Sequence, residues 1–189
     1  MTPTPTTTAT VVDRYRAADA SLSALAESLS AADWDRPSPC EGWTARDVLA
    51  HLVDAQRSFL SDRGHDLGPA PDLAADPAGG WRAHARQVTD LLGEPSVAAQ
   101  AYDGHFGPTT VGDTVVAFYV FDMVAHRWDL ARAAGRDERF TDEELATMEA
   151  AIPGWGEALY VDGVCAAGVE APPGADRQAR VLAALGRRA

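Results

Sequence analysis

A chain of 189 residues has room for one domain with a sizeable core, and not for two large ones. Its 46% hydrophobic content points to a globular protein, and no apolar run approaches the ~20 residues that span a bilayer. A net charge of −12, with arginine as the only strongly basic residue type, argues against a nucleic-acid partner, and no GxxxxGK[ST] loop is present to cradle a nucleotide.

Residues 1–8, Met1-Thr2-Pro3-Thr4-Pro5-Thr6-Thr7-Thr8, have neither the basic start nor the apolar stretch of a signal peptide. They read as a short disordered lead-in to a cytoplasmic protein. Cys40 and Cys165 are far apart in sequence and form no CxxC pair, so both are expected to stay reduced.

From about Thr10 to Asp33, Tyr15, Ala18, Leu22, Leu25 and Leu29 recur at spacings of three and four, one face of an amphipathic helix. Two prolines and a glycine between Asp35 and Gly42 break it. Thr44 followed by Asp47 has the form of a capping box with the shorter acid and starts a second helix to about Arg63. Its apolar stripe is Val48, Leu52, Ala55 and Phe59, with His51 at the edge. Gly64 to Gly80 reads as a loop. Trp81, Ala85, Val88 and Leu92 then mark a shorter third helix that Gly93 ends. Pro95 to Pro108 is irregular, with Ala101-Tyr102-Asp103 briefly extended. A fourth helix starts near Thr109–Thr114 and stops at Gly135. Thr141 and Glu144 cap a fifth, ended at Ile152 by Pro153-Gly154, and Asp176 to Leu185 forms a short terminal helix closed by Gly186. These spacings predict an all-α four-helix bundle with short additional helices, a single domain over 1–189.

The residues that carry chemistry lie on the second and fourth helices. Asp122 and His126 are four apart, with Cβ atoms roughly 5–6 Å from each other on one helical face. Val115, Phe118 and Tyr119 share that face, so the pair is expected where a core should be. A carboxylate in apolar surroundings needs a partner. Two imidazoles and a carboxylate, His51, His126 and Asp122, suit a divalent metal with a coordination position left open. The same spacing also suits a hydrogen-bonded core pair with His51 as a boundary histidine. His105 is a spare fourth ligand or base, while surface roles fit His65 and His84. Asp54 could orient His51, although a solvated face suits it better. Arg127 and Asp129 read as a salt bridge or cap, Cys40 as a small residue in a turn, and Glu149 and Glu157 have no evident partner.

Two blocks bring a resemblance. Pro39-Cys40-Glu41-Gly42-Trp43-Thr44-Ala45-Arg46-Asp47-Val48-Leu49-Ala50-His51-Leu52 resembles the C-x-G-W-[ST]-V-R-D-L-hydrophobic-x-H-L signature of the DinB-like superfamily. It is similar in particular to the N-terminal domain of mycothiol-dependent maleylpyruvate isomerase. Asp122 through Gly135 resembles that group's [DE]-x-x-x-H-x-W-D-L-A-x-A-x-G, and the tail, with Pro172-Pro173-Gly174-Ala175-Asp176 and Leu185-Gly186-Arg187, resembles stand-alone members of similar length.

The resemblance implies a bundle of the DinB type with a divalent metal at one end, on positions that fall at His51, Asp122 and His126. Zinc is the first choice, with nickel, iron or cobalt as alternatives. It further implies a low-molecular-weight thiol such as mycothiol, activated by the metal for transfer to an electrophile or for cis–trans isomerisation, with Phe118 and Tyr119 walling the pocket. A chain of this length lacks the isomerase's separate C-terminal domain, which argues away from maleylpyruvate itself. A metal-dependent hydrolase and a non-catalytic, metal-binding, homodimeric interaction protein remain the alternatives.

Overall fold

The computed structural model describes residues 9–161 and 165–188; the lead-in expected over residues 1–8 lies outside them. Helix α1 (Val11–Ser28) opens with a capping box in which Thr10 and Asp13 satisfy each other's backbone, and it buries Tyr15, Ala18, Leu22 and Ala26. A 3-10 turn (Asp33–Asp35) drops Trp34 into the core. Helix α2 (Ala45–Ser61) starts at the Thr44/Asp47 box. Its buried stripe runs through Val48, Leu49, Leu52, Val53, Gln56, Phe59 and Leu60, which leaves Ala55 and His51 half-exposed on the flank. Thr44→Ala is expected to cost about 1 kcal/mol in urea unfolding, because the Thr44 hydroxyl accepts from the Asp47 N–H in the first turn.

Helix α3 (Pro77–Leu92) is longer than its apolar spacing predicts. Asp76 accepts from the Gly79 N–H, and Pro77 occupies the first turn, where its missing N–H costs nothing. Gly79 and Gly80 are therefore helical rather than part of the loop. A Cβ on Gly80 would meet Leu73 Cδ2 at 2.7 Å, so the incoming loop packs closely on this turn and Leu73 would have to shift to admit a side chain. After a short α4 (Pro95–Ala98), the residues expected to be briefly extended form β1 (Ala101–Gly104), which makes a hairpin with β2 (Gly107–Thr110) where no strand was expected. Ala101 pairs with Thr110 and Gly104 with Gly107, and the chain turns at His105-Phe106. Four-residue strands with a proline in one of them leave almost no alternation to read.

The fourth predicted helix is continuous from α5 (Val111–Thr114) through a π-helical stretch (Val115–Val120) into α6 (Phe121–Ala133). The wider π winding changes the phase between the residues before and after it. Val115 and His126 are buried, but Phe118, Tyr119 and Asp122 are only half-buried, so the carboxylate expected inside the core sits at its edge. Helix α7 (Asp142–Trp155) passes through Pro153 and ends at Gly156, whose φ is +54°. In a final turn the proline removes one hydrogen bond, and Gly156 supplies the left-handed stop. The terminal helix α8 (Arg177–Ala184) lies against α7.

Helix α1 packs on α3 and α6, and α2 packs on the same two, closing a four-helix bundle around one apolar cluster. The chain is all-α in character, with the small hairpin as its exception. No helix is long and apolar enough to cross a membrane among the described residues. His84, expected at the surface, is fully buried, and its Nε2 pairs with Gln56 Oε1 at 3.1 Å. Burial, followed by the charge of Arg57, pushes that imidazole down to about 3, so it is a neutral core residue.

Candidate metal centre

The turn before α2 is tied across itself. Ser38 N–H donates to Trp43 O at 2.8 Å, and Trp43 N–H to Cys40 O at 3.0 Å. This holds Trp43 over the first turns of α2, with its ring centroid 5.0 Å from His51 and 6.4 Å from His126. Two turns into α2, His51 faces α6, where Asp122 and His126 lie one turn apart.

The carboxylate of Asp122 uses one oxygen for each imidazole. His51 Nε2 lies 3.2 Å from Oδ2 and His126 Nε2 lies 3.2 Å from Oδ1. The donor atoms of the three residues all fall within 4.8 Å of one another. His51 and Asp122 keep 31% of their side-chain surface, whereas His126 keeps 7%, so the group is open on one side and backed by protein on the other.

Behind His126, Nδ1 meets Oδ2 of the fully buried Asp129 at 2.8 Å. Asp129 is gripped in turn by Arg187, whose Nε lies 2.9 Å from Oδ1 and whose Nη2 lies 2.6 Å from Oδ2. The thiol of Cys40 donates to the same Oδ2 at 3.4 Å, 3.9 Å from His126 Nδ1. Cys40, His126 and Asp129 thus form a second cluster of possible ligands. There the Arg187 guanidinium already supplies the positive charge, and a second metal ion beside it would meet like-charge repulsion.

Burial works to raise the Asp122 carboxyl, but the charge and hydrogen bond of His126 and the hydrogen bond of His51 hold it well below the usual carboxylate range. Burial works to lower His126, and the charge and hydrogen bond of Asp122, then the hydrogen bonds of Asp129 and Cys40, raise it well above an ordinary histidine. Asp129, disfavoured by burial, is brought to about 2 by hydrogen bonds from His126 and Arg187. A carboxylate at each ring nitrogen favours the imidazolium form of His126 in the metal-free chain. A divalent cation suits the donor set because it can take the place of the proton on Nε2, facing two imidazoles and one carboxylate.

The other sequence candidates make contacts of their own. Phe118 stacks between Phe106 at 6.1 Å and Trp155 at 5.2 Å. Tyr119 packs on Phe59 at 4.9 Å, and burial first raises its hydroxyl to about 12. Tyr119 also lines an interior crevice with Gln56, Phe59 and Val115 that is too tight for a water molecule. His105 is exposed at the hairpin turn against Phe106, His65 pairs with Gln100 at 2.5 Å, and Asp54 is exposed. None of the three joins either cluster among the described residues. Glu149, expected to lack a partner, takes the Arg177 guanidinium at 2.8 Å.

Three neighbours of the centre are not evident from spacing: Trp43, Cys40 and Arg187. Asp129 had a readable signal, since it follows His126 by three residues on the same helix.

The family model of the mycothiol maleylpyruvate isomerase N-terminal domain matches residues 15–131, which take in most of α1, all of α2 and α3 and the site-bearing part of α6. The chain belongs to this family. Two uncharacterized proteins of Mycobacterium tuberculosis, from strains CDC 1551 and H37Rv, are each 27% identical to it over 145 residues, covering 72% of this chain and 76% of theirs. No solved structure gives a significant match. Within the mycothiol maleylpyruvate isomerase N-terminal domain match lie Cys40, Trp43, His51, Asp122, His126 and Asp129, while Arg187 lies outside it.

Proposed function

We propose that this protein is a divalent-metal-dependent enzyme, zinc being the first candidate, that uses a low-molecular-weight thiol in a transfer or isomerisation reaction. The observation that carries the reading is one carboxylate shared by two imidazole Nε2 atoms at 3.2 Å each, open on one side. His51, Asp122 and His126 would hold the ion. Bound there, the ion supplies a Lewis acid that favours the ionised form of a coordinating thiol at neutral pH. The family's description, which names mycothiol and an isomerase, supports a thiol as the second component.

The chain's own groups supply the surroundings. Trp43 covers the imidazoles on one side and limits water there. Phe118 and Tyr119, one turn before Asp122, would wall the pocket for the thiol or its electrophilic partner. The cytoplasm, with its reduced thiol pool, is the compartment this chemistry needs, and both cysteines are unpaired. A hydrolase would need a general base near the ion, and Asp54 and His105 both stand outside the cluster, which favours the thiol reading.

Elemental analysis of protein purified without a metal-affinity tag is expected to give about one zinc per chain, lost on His51→Ala. Turnover of electrophilic substrates is expected to depend on added mycothiol. Metal-free protein that does not take up zinc would overturn the reading, and thiol-independent hydrolysis would replace it with the hydrolase.

A further inference from the structure

We propose that Arg187, fifty-eight residues after Asp129 and beyond the family match, is a positioning residue for the metal centre, acting through Asp129 on His126. The inference rests on the metal reading above.

Arg187 is delivered by a closed helix end. Its N–H donates to Leu182 O at 2.8 Å, and Gly186 N–H donates to Ala183 O at 3.0 Å, the paired bonds of a Schellman motif, with Gly186 at φ +75°. Helix α8 behind it is anchored by buried Val181, Leu182 and Leu185 and by Gln178, which accepts from Phe140 N–H and donates to Glu138 O. The side chain is only 12% exposed, and its Nη1 donates to Leu185 O at 3.0 Å. A guanidinium held this way at its base presents a rigid fork to Asp129.

The fork decides the carboxylate's orientation. Nε and Nη2 span both oxygens of Asp129, so Oδ2 is left aimed at His126 Nδ1. With Nδ1 held there, Nε2 must face Asp122. Without Arg187 the fully buried Asp129 carboxylate would keep only the His126 ring and the Cys40 thiol beside it, and nothing would hold it from rotating or taking up a proton. Either change releases Nδ1, and the ligand nitrogen loses its direction. Partners of this kind behind a ligating histidine are worth roughly 10–100-fold in metal affinity.

The test uses the full chain and zinc alone, titrated against a chromophoric chelator. Arg187→Met is expected to weaken zinc binding about 10–100-fold, and Arg187→Lys, which keeps the charge but not the fork, by an intermediate factor. Arg177→Met, on the same helix but paired with Glu149, is expected to leave affinity unchanged. In metal-free protein, the hydrogen-bonded Nδ1–H proton of His126 should be visible by NMR and protected from exchange in the wild type and Arg177→Met, and lost in Arg187→Met. Unchanged affinity together with a retained Nδ1–H signal in Arg187→Met would overturn the proposal. Should Arg187→Met fail to fold, Arg187→Lys decides by the same two readings. A wild type that binds no zinc sinks the metal reading, and the Nδ1–H signal still decides whether Arg187 orders His126.

Discussion

Asp122→Asn is expected to lower zinc affinity by at least about a hundredfold, more than the loss of a residue one step behind a ligand. The side chain keeps its size, so any fall reports charge and ligation rather than packing. Asp122 is the only anionic donor of the group, and both imidazoles are oriented by its two oxygens. Binding also carries a proton signature. The raised pKa of His126 favours a proton on Nε2 that a bound ion would displace, so affinity should climb with pH until the metal-free imidazole titrates. Calorimetry in buffers of different ionisation enthalpy should give about one proton released per ion in the wild type and fewer in Asp122→Asn, whose His126 has lost its main charge partner. The metal-free chain shows the same pair in its stability. The folded pKa of His126 is raised, so its contribution is complete below the ordinary value of 6.5 and lost as pH rises through the folded one. That of Asp122 is depressed, so its contribution is complete above 3.8 and lost as pH falls through the folded one. Urea melts in chelator should therefore find this contribution greatest between pH 3.8 and 6.5, and Asp122→Asn should flatten both limbs.

The parts of the fold legible in the sequence are those in which one segment's chemistry is self-contained. Thr44 with Asp47 and Thr141 with Glu144 announce helix starts because both partners lie within three residues. His51, Asp122 and His126 were readable as one group because facing helices of a bundle place such residues together, and they lie 3.2 Å apart through Asp122. What escaped depends on distant or compensating contacts. Gly79 and Gly80 are poor helix formers, yet the Asp76 cap and the packing of Leu73 carry α3 through them. The π-helical stretch has no composition of its own, and it moved Asp122 from the expected core to its edge. No periodicity relates Arg187 to Asp129, and only the tertiary fold brings that guanidinium behind His126.

Arg127→Met is expected to destabilise the protein by roughly 1–3 kcal/mol, the cost of leaving two half-buried carboxylates without their charged partner. Arg127 sits on α6 beside His126, but its side chain points the other way and is 3% exposed. Its Nε donates to Glu138 at 2.8 Å, and Nη1 and Nη2 reach the two oxygens of Glu144 at 2.6 and 3.0 Å. Glu144 also accepts from the Thr141 N–H at 2.7 Å, so one carboxylate both caps α7 and fastens it to α6. Burial disfavours its charge, and the Arg127 hydrogen bonds hold its pKa below the ordinary 4.5. That shift gives stability that is complete above pH 4.5 and lost as pH falls through the folded value. The gap between wild type and Arg127→Met, read from denaturant melts, should accordingly be widest near neutrality and narrow in acid as Glu144 protonates in both proteins. Arg177→Met, which removes an exposed pair with Glu149, should leave the midpoint nearly unchanged. A pH-independent gap for Arg127→Met would mean that its aliphatic stem and its stacking near Phe140, rather than its charge, hold α7 to the bundle.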